Sequence, residues 1–349
     1  MSLKNYNHHI IEEECFGLSK KVNLDDLKNR KFLITGANGL IGGFLCDFLV
    51  FLNKKYNTNI KIIGTSYSKA EKAQRISHLI NSKDICYFSW DCSKNIEKYL
   101  DKDIDTVIFC SGYGQPGKFL QDMKKTALIN TIGPVNILDH LNSQKIKSRF
   151  LFLSSSEIYG SPTAKNIPTR ESYSGDYDLN NKRECYKQSK KLGEVISKSY
   201  KSEKIDIKIA RIGLTYGPGA LFGDKRVMQE FIFKALKNET INMLDAGESL
   251  RNFMFITDAI EVILNILFLS KEIVYNVGND QETTSIYELA KKIGDILNVD
   301  VNKGKSSLKN APVSVYLSME KYKKEFKIDT LNLKTLEYGI DKTIKWFNV

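Results

Sequence analysis

Tyr186 and Lys190 stand four residues apart in Cys185-Tyr186-Lys187-Gln188-Ser189-Lys190 and share one face if that stretch is helical. A phenol beside an ammonium is a proton-transfer pair. An unperturbed tyrosine, with a pKa of about 10, is a poor base at neutral pH, and bringing it near 7 takes roughly 4 kcal/mol of extra stabilisation of the phenolate. The ammonium supplies part of that, and a cationic cofactor ring the rest. A YxxxK spacing alone is common, and its meaning comes from what precedes it. Upstream, Leu153-Ser154-Ser155-Ser156-Glu157-Ile158-Tyr159-Gly160 follows the apolar run Phe150-Leu151-Phe152. A carboxylate at the end of a buried strand is costly unless it is paired, hydrogen-bonded or put to use. Glu157 therefore either caps the next segment or takes part in the chemistry.

A second constellation lies near the start. Gly36, Asn38, Gly39, Leu40, Ile41 and Gly42 form a GxxGxxG turn between a strand pattern and a helix pattern. Glycines there allow a tight turn, a close backbone approach to a pyrophosphate and a helix N-terminus aimed at the anion. This is a dinucleotide site, NAD or NADP. The second strand ends Gly64-Thr65-Ser66-Tyr67-Ser68 with no acidic residue for the adenine ribose, and Lys69, Lys72 and Arg75 follow. That leaves NADP open, since hydroxyls and cations suit a 2′-phosphate. The same lysines also read as the solvated face of a charged helix from Lys69.

The elements that position these groups alternate. Short β-branched or aromatic runs begin at Lys31, Ile60, Thr106, Arg149 and Ile207, and helical patterns cover Leu40 to Leu52, Leu128 to Leu141 and the stretch from Tyr186. Such alternation predicts an α/β fold, a Rossmann-type doubly wound parallel sheet, with a smaller C-terminal α/β substrate lobe over the carboxyl ends of the strands. Residues 1–29 read as an N-terminal extension with a short capped helix at Asn23 to Leu27, 30–212 as the NAD(P)-binding domain with the catalytic residues, and 213–349 as mainly the lobe, partly interleaved with the first domain. A helix is expected from Arg226 to Leu236.

Composition narrows the function classes. The 349 residues carry a net charge of +11, but the lysines are spread along the whole chain, which argues against nucleic acid and suits a phosphate-bearing small molecule. Apolar stretches fall short of the roughly 20 residues of a membrane span, and the start lacks an apolar signal core, so a cytoplasmic protein with no membrane partner is expected. Six scattered cysteines without a CxxC pair, and four histidines, suggest reduced thiols and no metal site.

The glycine turn, the strand-end SSSEIYG and YKQSK, in this order and at these distances, resemble the extended short-chain dehydrogenase/reductases that work on nucleotide sugars. The likeness runs from Lys31 to the C-terminus and is strongest to UDP-glucuronate decarboxylases and their 4,6-dehydratase and 4-epimerase relatives. Further matches are Asn130 in its helix, Arg183-Glu184-Cys185-Tyr186, Asp224-Lys225-Arg226-Val227, and Gly247 to Arg251. The resemblance implies that Ser155 bonds the sugar 4-hydroxyl, Tyr186 takes its proton, and Lys190 holds the nicotinamide ribose and lowers the tyrosine pKa. It places Asp91 and Cys92 at the adenine, Ser66 at its ribose, Ser111 and Gly112 on the cofactor floor, and Arg226 and Arg251 on the nucleotide-diphosphate sugar. Glu157 becomes a base or electrostatic partner near C5 and C6, where a C4 ketone acidifies the C5 proton and makes a C6 carboxylate a β-keto acid.

Ser156 separates outcomes within that family, because relatives that eliminate water carry an aspartic acid there and a serine hydroxyl is a poor general acid. The expected activity is therefore C4 oxidation followed by decarboxylation or epimerisation, with 4,6-dehydration or simple 4-ketosugar reduction as alternatives. A cofactor-binding sensor is the non-enzymatic alternative, against which Ser155, Tyr186 and Lys190 argue. The pattern departs from the family at Phe109, where a histidine is usual, at Leu214, where an asparagine meets the substrate diphosphate, and in the loop Gly112 to Gly117. The helices carrying Asn130 and Tyr186 pair across a two-fold in many relatives, which implies a homodimer.

Overall fold

The computed structural model describes residues 8–80, 82–101, 103–305 and 314–347. The first helix, α1 (His8–Ser19), is followed by a single turn, Leu24–Asp26, capped by the Asn23 side chain as the sequence predicts. The main sheet then builds up through β1 (Lys31–Thr35), α2 (Leu40–Tyr56), β2 (Lys61–Ser66), α3 (Ser77–Ile80), β3 (Cys86–Ser89) and β4 (Thr106–Phe109). After α4 (Pro116–Gln121) and α5 (Met123–Ser143) come β5 (Ser148–Ser155), α6 (Glu184–Ser199) and β6 (Ile205–Ile212). The lobe begins with β7 (Leu214–Tyr216), α7 (Val227–Leu236), β8 (Ile241–Asn242), β9 (Leu250–Arg251) and β10 (Phe253–Phe255). It then gives α8 (Ile256–Leu269) and β11 (Val274–Val277) back to the main body.

Seven parallel strands run in the order β11-β6-β5-β4-β1-β2-β3. They read as continuous apolar runs because both faces are covered. Alternate residues serve opposite faces: Phe32, Ile34 and Leu151 pack with α2 and α8, while Leu33, Phe150 and Phe152 pack with α5. The chain turns from β1 toward β2 on one side and from β4 toward β5 on the other. A crevice opens at the carboxyl ends of β1 and β4, where open α/β sheets bind ligands. Over it lie small pairings of the lobe, β7 with β10 and β9 with its neighbours Ser314–Val315 and Thr284–Ser285.

Two segments differ from the sequence reading. The N-terminal extension is built into the body, because α1 buries Ile10, Ile11, Cys15 and Leu18 against α2 and α8; residues 1–7 of the extension lie outside the described residues. The charged helix expected from Lys69 is instead two single turns, Ala70–Lys72 and Gln74–Ile76, followed by α3. Arg75 is the reason. Its side chain is fully buried, its guanidinium meets Asp47 of α2 at 2.6 Å, and its backbone N–H donates to Asn38 Oδ1 at 2.9 Å, so the chain turns inward.

Candidate active site

The glycine turn forms by close packing. Gly36 has φ +66°, and a Cβ there would lie 2.7 Å from the Cys110 carbonyl oxygen; one on Gly42 would lie 2.5 Å from the Gly36 oxygen. Gly39 caps α2 without a side chain, which leaves the first N–H groups of the helix facing the crevice. A cleft of about 530 Å³ runs from this turn past Asn38, Leu40, Ile41, Ser66, Asp91, Cys92, Ser111 and Gly112, the residues expected to hold a dinucleotide. Asn130 lies beneath it, fully buried. Its Nδ2 donates to Ser189 Oγ at 2.9 Å and its Oδ1 has no partner; a Cβ on Gly112 would meet that oxygen at 3.5 Å and Lys190 Nζ at 3.4 Å. A glycine-lined cradle with an unsatisfied buried acceptor below its floor fits a dinucleotide.

At the adenine end, burial disfavours the Asp91 carboxylate, but the N–H and hydroxyl of Ser93, with Lys125 at 3.5 Å, hold its pKa below the usual carboxylate range. The end of β2 offers hydroxyls and no carboxylate: Ser66 Oγ is 2.7 Å from Tyr87 Oη, and Ser68 Oγ accepts from Asn38 Nδ2 at 3.2 Å. Of the three cations that kept a 2′-phosphate open, Arg75 is withdrawn into the fold on Asp47, while Lys69 and Lys72 remain exposed. Lys125, which the sequence reading did not single out, lines the cleft together with Lys118 and Arg226 and stands 3.3 Å above the Tyr67 ring.

A second cleft, of about 410 Å³, meets the first at Ile41, Cys110, Ser111 and Gly112 and collects Ser155, Ser156, Glu157, Tyr186, Lys190, Arg226 and Arg251. Ser155 ends β5 and accepts the Glu157 N–H at 3.2 Å, which caps the turn Ser156–Tyr159. The capping group is thus Ser155. Both Glu157 carboxylate oxygens take Nη2 of Arg183, at 2.6 and 2.8 Å. Arg183 precedes α6, three residues before Tyr186. Its guanidinium lies 5.5 Å from the Phe119 ring, which in turn stacks on the Tyr186 ring at 4.7 Å and 9°.

Tyr186 and Lys190 do share a buried face of α6. Burial pushes the phenol up to about 12, with Ser155 working the other way and Glu157 adding to the rise. Burial also lowers the Lys190 ammonium to about 8, and its Nζ donates to the Leu153 carbonyl at 2.7 Å. Contrary to the expected lowering, Lys190 is not among the groups that move the phenol here; burial sets its direction. Arg226 is held by Asp224 through Nε and Nη2, and Arg251 donates to the Leu250 carbonyl at 2.6 Å. Burial lowers the Arg251 pKa, Glu157 and Asp245 oppose that and Arg183 adds to it, which puts these charged groups in one electrostatic cluster.

The departures have structural counterparts. Phe109 is fully buried between Phe150 and Phe152, so that position is core. Leu214 lines the second cleft with its aliphatic side chain. Among the described residues no cysteine is paired, no His/Cys/Asp/Glu group is arranged to hold a metal, and no helix is long and apolar enough to cross a membrane.

Comparison with known proteins extends these observations. The profile of the NAD dependent epimerase/dehydratase family matches residues 32–278. UDP-glucuronic acid decarboxylase 6 of Arabidopsis thaliana is 29% identical over 274 residues, 78% of this chain and 76% of the relative. UDP-glucuronic acid decarboxylase 1 of Xenopus tropicalis is 26% identical over 275 residues, 78% of this chain but only 62% of the relative. Among solved structures, UDP-glucose 4-epimerase from Thermotoga maritima superposes with a TM-score of 0.76 at 19% identity, covering 91% of this chain and 98% of that one. UDP-glucuronic acid 4-epimerase from Bacillus cereus, in complex with UDP-glucuronic acid and NAD, gives 0.74 at 21%, covering 91% and 99%.

Proposed function

Because the chain belongs to the NAD dependent epimerase/dehydratase family, we propose that it oxidises C4 of a nucleoside-diphosphate uronic acid and uses the resulting ketone to release the C6 carboxylate as carbon dioxide. The observation that carries this reading is the cluster of Glu157, Arg183 and Arg251 beside Tyr186 and Ser155, with a hydroxyl at Ser156 in place of a general acid. Two guanidiniums at the C5–C6 end suit an anionic sugar. The decarboxylases among its relatives support the same direction.

In this reading Ser155 bonds the 4-hydroxyl and Tyr186 takes its proton as the C–H electron pair leaves C4. NAD, which the glycine turn, Asp91, Ser111 and Lys190 would hold, would supply the hydride acceptor and donor. With C4 a ketone, the C5–C6 bond breaks, its electron pair passes into an enolate, and C5 regains a proton. Arg183 and Arg251 hold the C6 carboxylate until it departs, and Glu157 stands next to C5. Lowering a phenol from about 12 to 7 takes roughly 7 kcal/mol, so Tyr186 becomes a base only when the cofactor's positive ring and a recruited Lys190 surround it. Lys125 and Tyr67 close the adenosine end.

The chain is also proposed to work as a homodimer through α5 and α6, whose outer faces leave Ile132, Leu192 and Val195 exposed. Incubation with NAD and the UDP-, GDP-, CDP- or dTDP-derivatives of glucuronate and of glucose, followed by mass spectrometry, tests the reaction. Loss of carbon dioxide supports it; loss of water from a neutral nucleotide sugar overturns the role given to Ser156.

A further inference from the structure

We propose that Arg183 is a specificity residue that exchanges partners: it holds Glu157 in the empty site and passes to the sugar carboxylate of an incoming nucleotide uronate, which frees Glu157 to face C5. The proposal rests on the reading above and adds an exchange of partners at Arg183 to it.

Among the described residues several buried or half-buried guanidiniums grip carboxylates, and their surroundings differ. Arg75 with Asp47 is 0% and 4% exposed, and Arg211 with Glu194 is 12% and 4% exposed, each drawn together inside the fold. Arg183 with Glu157 is 25% and 32% exposed and lines a cleft. Removing one member of an enclosed pair leaves a charge stranded out of water, whereas a solvated pair contributes about 1 kcal/mol or less. The first two pairs are fixtures of the fold. The third opens at little cost and lies where a ligand can enter; Arg226 with Asp224 also lines the clefts, but its carboxylate is only 6% exposed, so that pair stays partly enclosed.

Charge and geometry give the incoming group. Glu157 is the carboxylate that takes Arg183 through both oxygens, whereas Arg251 has Asp245 as well as Glu157 among its favourable charges. A uronate offers Arg183 a second carboxylate; a hexose with a neutral C6 hydroxyl does not. Arg183 is also anchored to the reacting tyrosine. Its N–H donates to Asn181 Oδ1 at 3.0 Å, and its guanidinium lies against the Phe119 ring that stacks on Tyr186. A sugar with C4 at Tyr186 has its C6 carboxylate two bonds away, on the side of Glu157. The same nitrogen that grips both Glu157 oxygens then has a choice of two carboxylates, and the nearby positive charge of Arg251 favours the arrival of the second.

The test is calorimetric titration of the NAD-loaded protein with UDP-glucuronate and with UDP-glucose. Arg183→Gln is expected to weaken UDP-glucuronate by about tenfold or more while changing UDP-glucose by less than about threefold, the size of one charge-assisted hydrogen bond. Arg183→Lys should recover part of the loss. Glu157→Gln removes the competing carboxylate and should tighten UDP-glucuronate several-fold, leaving UDP-glucose unchanged. Equal losses for both ligands in Arg183→Gln, or weaker UDP-glucuronate binding in Glu157→Gln, overturn the exchange while leaving the nucleotide-sugar reading in place. Failure of the unmodified protein to bind either ligand instead overturns that underlying reading. If Arg183→Gln does not melt cooperatively, Glu157→Gln decides alone, because relief of competition leaves Arg183 untouched.

Discussion

The two clefts that meet at Ile41 and Gly112 are made of opposite materials. The dinucleotide cleft is shaped by backbone: Gly36 and Gly42 stand where a Cβ would collide with a carbonyl oxygen, and the N-terminus of α2 supplies its polarity. The sugar cleft is shaped by long side chains from separate segments: Glu157 after β5, Arg183 before α6, Arg226 before α7 and Arg251 in β9. A shape made of backbone recognises one ligand class and tolerates little change. A shape made of cations on separate segments is re-tuned by single substitutions, which suits a family whose members share the first ligand and differ in the second.

The largest expected effect separates the clefts completely. Tyr186→Phe keeps the stacked ring on Phe119 and removes only the proton acceptor, so turnover should fall by about 10²- to 10⁴-fold while NAD binding, read by fluorescence titration, is preserved. Turnover that survives would remove Tyr186 from the chemistry. Gly36→Ala is its mirror image: with φ +66° and a 2.7 Å approach to Cys110, it should lose NAD binding first.

The difference in material also explains what the sequence disclosed. Gly36, Gly39 and Gly42 were legible because close approach needs glycine at fixed spacing, and Tyr186 and Lys190 because one helical face needs a fixed period. The parallel sheet was legible from runs such as Phe32 to Ile34, buried on both sides. Arg75 was not, because a charged residue among lysines reads as solvated and only the fold shows Asp47 waiting for it. Arg183 was visible as part of a motif but not as the partner of Glu157, since the two are 26 positions apart. Its place three residues before Tyr186, on the adjoining turn, was the available signal. Helix α1 was misplaced for a related reason: its apolar residues Ile10, Ile11, Cys15 and Leu18 follow a helical period within a short, charged terminal segment.

Next in size is a stability contrast. Asp47→Ala strands Arg75 behind the glycine turn and should cost roughly 3–5 kcal/mol in denaturant unfolding. Glu157→Gln, at a solvated pair, should cost about 1 kcal/mol or less. Similar costs would mean that the sugar cleft is as much a part of the fold as the dinucleotide cleft.

Lys190 gives a smaller effect with a definite sign. Its ammonium is lowered from 10.5 to about 8 in the folded chain, so between those values the unfolded chain binds more protons and stability rises with pH; below about 8 the full penalty applies. Lys190→Met should therefore stabilise the cofactor-free protein at pH 7 by roughly 2 kcal/mol, after allowing for the lost bond to the Leu153 oxygen. The gain should disappear above pH 10.5. A melting series across pH 7 to 10 that shows no gain would mean that Nζ is solvated and already free to move toward a cofactor.

The smallest effect tests how finely the lobe reads its ligand. Leu214 pairs in register with Phe253 and presents a partly exposed aliphatic side chain to the sugar cleft, where the family's amide would meet the diphosphate. Lys225 and Arg226 stand across the same cleft, with Arg226 already shared with Asp224. Leu214→Asn adds one donor at little steric cost and should tighten UDP by about threefold in a calorimetric titration, less than a fully enclosed charged hydrogen bond would give because water reaches the position. An unchanged affinity would put the diphosphate wholly in the hands of the two cations. The lobe would then recognise the nucleotide end by charge alone and leave its discrimination to the sugar.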